Sequence, residues 1–202
     1  MGRKASGGEG LERVKKSSAV ARNRGAAGMK YYVMQVRARE EQKCLDRARE
    51  TAARRPVEFY WPRRELRIRK GGRWKETAAP IFPGYIFISA SVAPSALYRL
   101  VKSVPGFVRF LKSNTDITPL EGPDLELVRH FLRHGEIVRK SLVKFEADQR
   151  IRVLEGPLKG LEGMIIKVDK RKKRIKVRLE LYANSFSIDF GYEDLGAAGT
   201  GG

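Results

Sequence analysis

The sequence predicts an α+β fold, an open sheet with helices packed on it, followed by a small all-β barrel. Three observations carry that expectation. Strand-like runs alternate with stretches of helical period from Lys30 to about His134. Beyond Asp148, short apolar/polar runs separated by Gly-Pro, Asp-Lys and Ala-Asn pairs replace any helical period, as in small barrels. Between them lies Pro80-Ile81-Phe82-Pro83-Gly84-Tyr85-Ile86-Phe87-Ile88. Its Pro-Gly pair is the chemistry of a type II turn, and the run after it is apolar on both faces.

Taken in order, residues 1–28 carry seven Lys or Arg against Glu9 and Glu12 and nothing able to build a core, so they read as a disordered basic tail. Composition favours Met29 as the true beginning over a nucleic-acid-grazing arm. Tyr31 to Val36 is of strand length and composition. Residues 40–55 lack Pro and Gly and set Cys44, Leu45, Ala48, Ala52 and Ala53 against a charged surface, an amphipathic helix that Pro56 ends. Val57–Trp61 and Leu66–Ile68 read as strands, with Gly71-Gly72 as a hairpin tip between basic residues. Leu97, Leu100 and Val101 give a short helix over 94–104, Phe107 to Leu111 alternates as a half-buried strand, and a third helix is expected over 123–134, ended by Gly135. These elements make a first domain over 29–134. A polar, basic stretch at 135–147 reads as a linker, 148–195 as the barrel domain and 196–202 as a flexible C-terminal tail.

Charge is the dominant feature of composition. A formal net charge of +19 and a pI near 10.3 over 202 residues favour polyanions as partners, nucleic acid before acidic membrane. No apolar run approaches the roughly 20 residues that cross a bilayer, so no membrane partner and a cytoplasmic location are expected. Cys44 stands alone and reads as a packing residue. His130 and His134 are four apart on a helix but lack a third ligand and a general base, so no metal or other cofactor is expected. The glycine pairs fit neither a P-loop nor a dinucleotide fingerprint, and no nucleophile has a partner. The chain reads as a binding factor, not an enzyme.

Three motifs stand in order: Tyr31-Tyr32-Val33, then Phe82-Pro83-Gly84-Tyr85 with Val104-Pro105-Gly106-Phe107-Val108-Arg109-Phe110, and finally Gly156-Pro157-Leu158-Lys159-Gly160-Leu161-Glu162-Gly163. Together they resemble the NusG family of transcription elongation factors, the last being similar to the KOW motif. The resemblance implies an NGN domain, an antiparallel sheet with flanking helices, followed by a KOW domain with an SH3-like barrel. It also implies an NGN surface that docks on the clamp helices of the largest RNA polymerase subunit, falling here on Tyr31, Phe82, Pro83, Tyr85, Phe87, Phe107 and Phe110. Of these, Phe87 and Phe107 are expected to be structural, with Ile86 and Ile88 holding the sheet and Phe82 and Tyr85 carrying the partner.

The Phe107–Phe110 sequence resembles the specialised, LoaP-like antiterminators more than the general factors. Residues 29–144 hold 24 Lys and Arg against 12 Asp and Glu, a high charge for a domain that grips only protein. In antiterminator paralogues this domain touches the non-template DNA strand, at positions matching Arg37, Arg47, Arg99 and Lys102. In the barrel, Lys170, Arg171, Lys172 and Lys173 form a basic turn, and alternation places Arg174, Lys176 and Arg178 on one strand face, a cradle for a nascent RNA hairpin. Tyr182 stands where general factors use an aromatic residue to touch Rho or a ribosomal protein. The expected function is processive antitermination. The alternatives are a general NusG coupling polymerase to Rho or the ribosome, and a ribosomal or structured-RNA-binding protein of KOW type.

Overall fold

The structure, a computed structural model, describes residues 28–146 and 150–196. Its first half is built on a four-stranded antiparallel sheet made of β1 (Lys30–Val36), β2 (Val57–Tyr60), β5 (Tyr85–Ala90) and β6 (Phe107–Phe110), in the order β2-β5-β1-β6. In register, Val33 faces Phe87 and Met34 faces Ile86. Side chains alternate across a strand, so Tyr31, Val33, Tyr85 and Phe87 share one face while Tyr32, Met34, Ile86 and Ile88 share the other. The second face is covered by α1 (Glu41–Thr51) and α2 (Pro94–Val101), which contribute Cys44, Leu45, Ala48, Leu97, Leu100 and Val101 to one apolar cluster. The first face receives α3 (Gly122–Leu132) through Leu127, Val128 and Phe131.

Beside this sheet stands the hairpin of β3 (Arg63–Lys70) and β4 (Arg73–Pro80). Gly71 and Gly72 both take positive φ, 58° and 75°, as a tight hairpin tip requires. The second half is a curled five-stranded sheet of SH3-like type: β8 (Ser141–Phe145), β9 (Ile151–Glu155), β10 (Ile165–Asp169), β11 (Arg174–Leu181) and β12 (Asn184–Asp194), ordered β10-β11-β12-β8-β9.

Expected and observed elements agree in type, with helix ends one to four residues shorter than periodicity suggested. The stretch expected to be a linker is different in kind. Its β7 (Ile137–Val138) pairs parallel with β3, and β8 pairs parallel with β12 and antiparallel with β9. Ser141 and Val143 are buried there, their alternation masked in the sequence by Lys140 and Lys144. The expected tails lie outside the described residues, apart from Gly28 and Gly196. The two halves are packed on each other: a single apolar cluster holds Val33, Phe82 and Phe87 of the first together with Val177, Leu179 and Phe190 of the second.

Candidate functional site

The site grows out of the turn at Phe82–Tyr85. Gly84 takes φ 80° and the Tyr85 amide donates to the Phe82 carbonyl at 3.2 Å, closing the type II turn expected of Pro-Gly. Two neighbours fix it. The Gly84 amide donates to the buried Glu41 carboxylate at the start of α1 at 3.0 Å, and the Gly84 carbonyl accepts from the Val36 amide at 2.8 Å. The turn thereby presents Phe82 and Tyr85 on the sheet face opposite α1 and α2.

That face is occupied by the barrel. Phe186 of β12 sits edge-on to Phe82 at 5.5 Å between centroids and to Tyr85 at 5.8 Å. Phe190 stacks on Phe131 of α3 at 5.6 Å, and Phe131 in turn meets Phe82 at 6.0 Å. Such ring pairs add a fraction of a kcal/mol to about 1.5 kcal/mol each beyond area burial. Polar contacts rim the aromatic centre. The Tyr182 amide donates to Asp124 Oδ1 at 3.2 Å and its hydroxyl to the Pro119 carbonyl at 3.4 Å. His130 Nε2 donates to the carbonyl of Pro157, inside the KOW-like Gly-Pro turn, at 2.7 Å. Arg64 reaches the carbonyls of Pro80 and Asp189, one from each half, and lies over the Phe190 ring. Burial lowers its pKa to about 10, which leaves the guanidinium charged at neutral pH.

The seven expected docking residues do not come together. Tyr31, Phe82, Tyr85 and Phe87 belong to the barrel-side cluster and Pro83 is exposed at the turn. Phe107 and Phe110 belong to the helix-side cluster, with Phe110 buried and Phe107 half-buried against it and Tyr98. The register places them there, since Phe110 pairs with Met34, whose side chain faces α1 and α2. Phe82 itself is only 1 % exposed, because Phe87, Phe131 and Phe186 surround it. The partners of this aromatic face that sequence reasoning left out are Phe131, Phe186 and Phe190, together with Arg64 and Asp124. A signal existed: Phe186, Ile188, Phe190 and Tyr192 recur at every second residue, more apolar surface than one face of a small barrel needs.

The basic residues fall into separate places. Arg99 and Lys102 line one open groove of about 560 Å³ with Tyr98, Asn114 and Thr115. Arg37 is exposed after β1, and Arg47 on α1 forms an exposed ion pair with Glu50 at 2.9 Å. In the barrel, Arg174, Lys176 and Arg178 alternate outward from buried Ile175, Val177 and Leu179, as the period of a strand dictates. Arg174 and Lys176 approach Asp189 at 3.9 and 3.5 Å. Lys170 to Lys173 are exposed in the preceding turn, with Lys170 over the Phe145 ring and Lys173 over the Tyr192 ring. The Asp169 carboxyl is held below its ordinary pKa, chiefly by the Lys172 amide that it accepts. Among the described residues no group of three His, Cys, Asp or Glu is placed to hold a metal, and no helix is long and apolar enough to cross a membrane.

Comparison with known proteins places this architecture. Residues 29–129 match the family model described as "Transcription termination factor nusG", and residues 147–178 match the KOW motif. The "Transcription termination/antitermination protein NusG" of Buchnera aphidicola is 25% identical over 139 residues, 68% of this chain and 76% of that protein. That of Escherichia coli K12 is 24% identical over the same shares. The Bacillus subtilis protein is 26% identical over 128 residues, 62% of this chain and 71% of its own. A solved structure described as "Domain interaction in Thermotoga maritima NusG" shares the fold, with a TM-score of 0.51 at 21% identity, over 81% of this chain and 93% of that one. With half of its length matched by the family model, a KOW motif behind it and relatives along both, the chain belongs to the NusG family of transcription termination/antitermination factors.

Proposed function

We propose that the face carrying Tyr31, Phe82 and Tyr85 docks on the clamp helices of the largest RNA polymerase subunit, and that the barrel has to leave it first. One observation carries this reading. Phe82 and Tyr85 both pack on Phe186, so an aromatic face of the first domain is covered by the second domain of the same chain. Rigid aromatic side chains gathered around one centre supply large contact area at low entropic cost, the character of interface anchors. In the released state the factor bridges the DNA channel and suppresses pausing and termination as a processive antiterminator. Arg99 and Lys102 in their groove, with Arg37 and Arg47, meet the phosphates of the non-template strand. The turn Lys170–Lys173 and the strand face Arg174, Lys176 and Arg178 hold a nascent RNA hairpin.

The test is retention on immobilised RNA polymerase. Tyr85→Ala is the docking variant of choice, because Phe82 is also a core residue. Its retention is expected to fall tenfold or more. Phe186→Ala, which removes the cover and leaves the first domain intact, is expected to raise it. Equal retention of Tyr85→Ala and the parent, with unchanged circular dichroism, would remove the docking face from this position.

A second reading is favoured by Tyr182. Its backbone and hydroxyl are both engaged by the first domain, so the barrel tip becomes available to Rho or to the ribosome only after the same release. A general coupling factor is then distinguished by Rho or ribosome binding that rises with Phe186→Ala.

A further inference from the structure

The β3–β4 hairpin carries a feature that neither polymerase docking nor the DNA groove uses. Arg67, Arg69, Lys70, Arg73 and Lys75 are all exposed on it, and none of the five takes part in an ion pair among the described residues. Trp74 lies among them and is 44 % exposed. In register it stands opposite Arg69, and the Arg67 guanidinium lies 5.0 Å from its ring centroid. An unpaired cluster of five cations on a short ribbon repels itself, and a large ring left in water gains nothing from burial. Both costs fall when a polyanion with stackable bases binds there.

The barrel meets the hairpin at this spot. The Arg174 guanidinium donates to the Arg67 carbonyl at 2.9 Å, so the start of β11 abuts β3. Arg174 directly follows the exposed basic turn Lys170–Lys173. Two basic elements that are about 100 residues apart in sequence therefore join at the Arg67–Arg174 contact.

We infer that the hairpin and the barrel turn form one composite RNA-binding surface, in which Trp74 stacks on an unpaired base and the cations on either side hold the flanking phosphates. This rests on the reading of the barrel turn as an RNA contact and extends that contact onto the first domain. RNA is the occupant the chemistry selects. Folded RNA offers unpaired loop bases next to a densely charged stem, whereas a DNA duplex keeps its bases stacked inside. Because Arg174 reaches Arg67 only while the halves are packed, the complete surface belongs to the closed form.

The experiment is fluorescence anisotropy of the full chain with a labelled RNA hairpin bearing an unpaired loop, titrated at several salt concentrations. All substituted residues are exposed, and circular dichroism checks the fold. Trp74→Ala is expected to weaken binding about tenfold, the effect of losing one stacked base. Arg69→Ala with Arg73→Ala, and separately Arg171→Ala with Lys172→Ala, are each expected to weaken binding and to lower the slope of log affinity against log salt by about one. If only the barrel-turn variant loses affinity, the composite surface is overturned and the barrel contact stands. If the parent chain does not bind the hairpin, both fall. If a blunt DNA duplex binds as tightly as the RNA and Trp74→Ala changes neither, the patch is a general polyanion surface and the inference is overturned.

Discussion

Two glycines of the KOW element separate the cost of backbone conformation from the cost of space. Gly156 has φ 99°, and a Cβ added there would lie 2.7 Å from Ser141 Cα and 2.9 Å from its Oγ. Gly160 has φ 83° with nothing within 4 Å. Gly160→Ala is therefore expected to cost about 1–3 kcal/mol, the usual range for a side chain held at positive φ. Gly156→Ala is expected to cost clearly more, since backbone must also move and the Leu158 amide bond to Ser141 Oγ is disturbed. Urea denaturation of the two variants side by side checks the order, and equal losses would mean that the contact with Ser141 yields freely. Cys44 is the second residue with a sharp expectation. It is buried under α1, and burial, with Glu40 adding to it, pushes its thiol up to about 11. The thiolate is the reactive form, so at pH 8 an aromatic disulfide reagent is expected to leave the native chain unmodified and to label it fully once unfolded. Rapid labelling of the native chain would contradict the burial.

At the scale of elements, what the sequence made legible was whatever depends on local pattern. The small-residue stripe of α1, the Gly-Gly tip of the β3–β4 hairpin and the alternation of β11 each announce their own geometry through spacing alone. What it hid was pairing across distance. β7 and β8 sit in a basic stretch where Lys140 and Lys144 obscure the alternation of Ser141 and Val143, and both strands exist because distant β3 and β12 offer free edges. The docking residues show the same division. The Phe82–Tyr85 turn was legible from Pro-Gly, but which face Phe107 and Phe110 take depends on register with β1, a tertiary fact. The contact between α3 and the β11–β12 turn was equally invisible, and it carries a prediction. Asp124→Ala removes the acceptor of the Tyr182 amide, and leaving a partly buried donor unpaired costs about 1–3 kcal/mol. That loss is expected in the joint alone. Hydrogen exchange should quicken at Tyr182, Ala183 and around Phe82 while the helix-side cluster around Met34 and Ile86 keeps its protection. Uniform loss of protection would mean that the halves unfold as one unit.

For the whole molecule, the sheet of the first domain has two apolar faces and only one set of helices large enough to cover a face fully. α1 and α2 fill one side, and on the other α3 leaves room that Phe186 and Phe190 occupy. The barrel thus completes the core of the first domain, and its departure exposes a face that needs a new occupant. An exposed apolar face of that kind is unfavourable in water, so opening and partner binding are thermodynamically coupled: a partner draws the open form only by as much as it prefers that form. Holding the joint shut should therefore block binding without altering any docking residue. Asp124→Cys with Tyr182→Cys places two thiols at neighbouring exposed and half-buried positions, while the native Cys44 is inaccessible. A short bis-maleimide bridge between them is expected to abolish retention on RNA polymerase. The same double variant capped with N-ethylmaleimide lacks the Asp124 bond and cannot be bridged, so it is expected to bind at least as well as the parent. Bridged protein that still binds polymerase as the capped protein does would show that docking leaves the barrel in place and uses another face of the first domain.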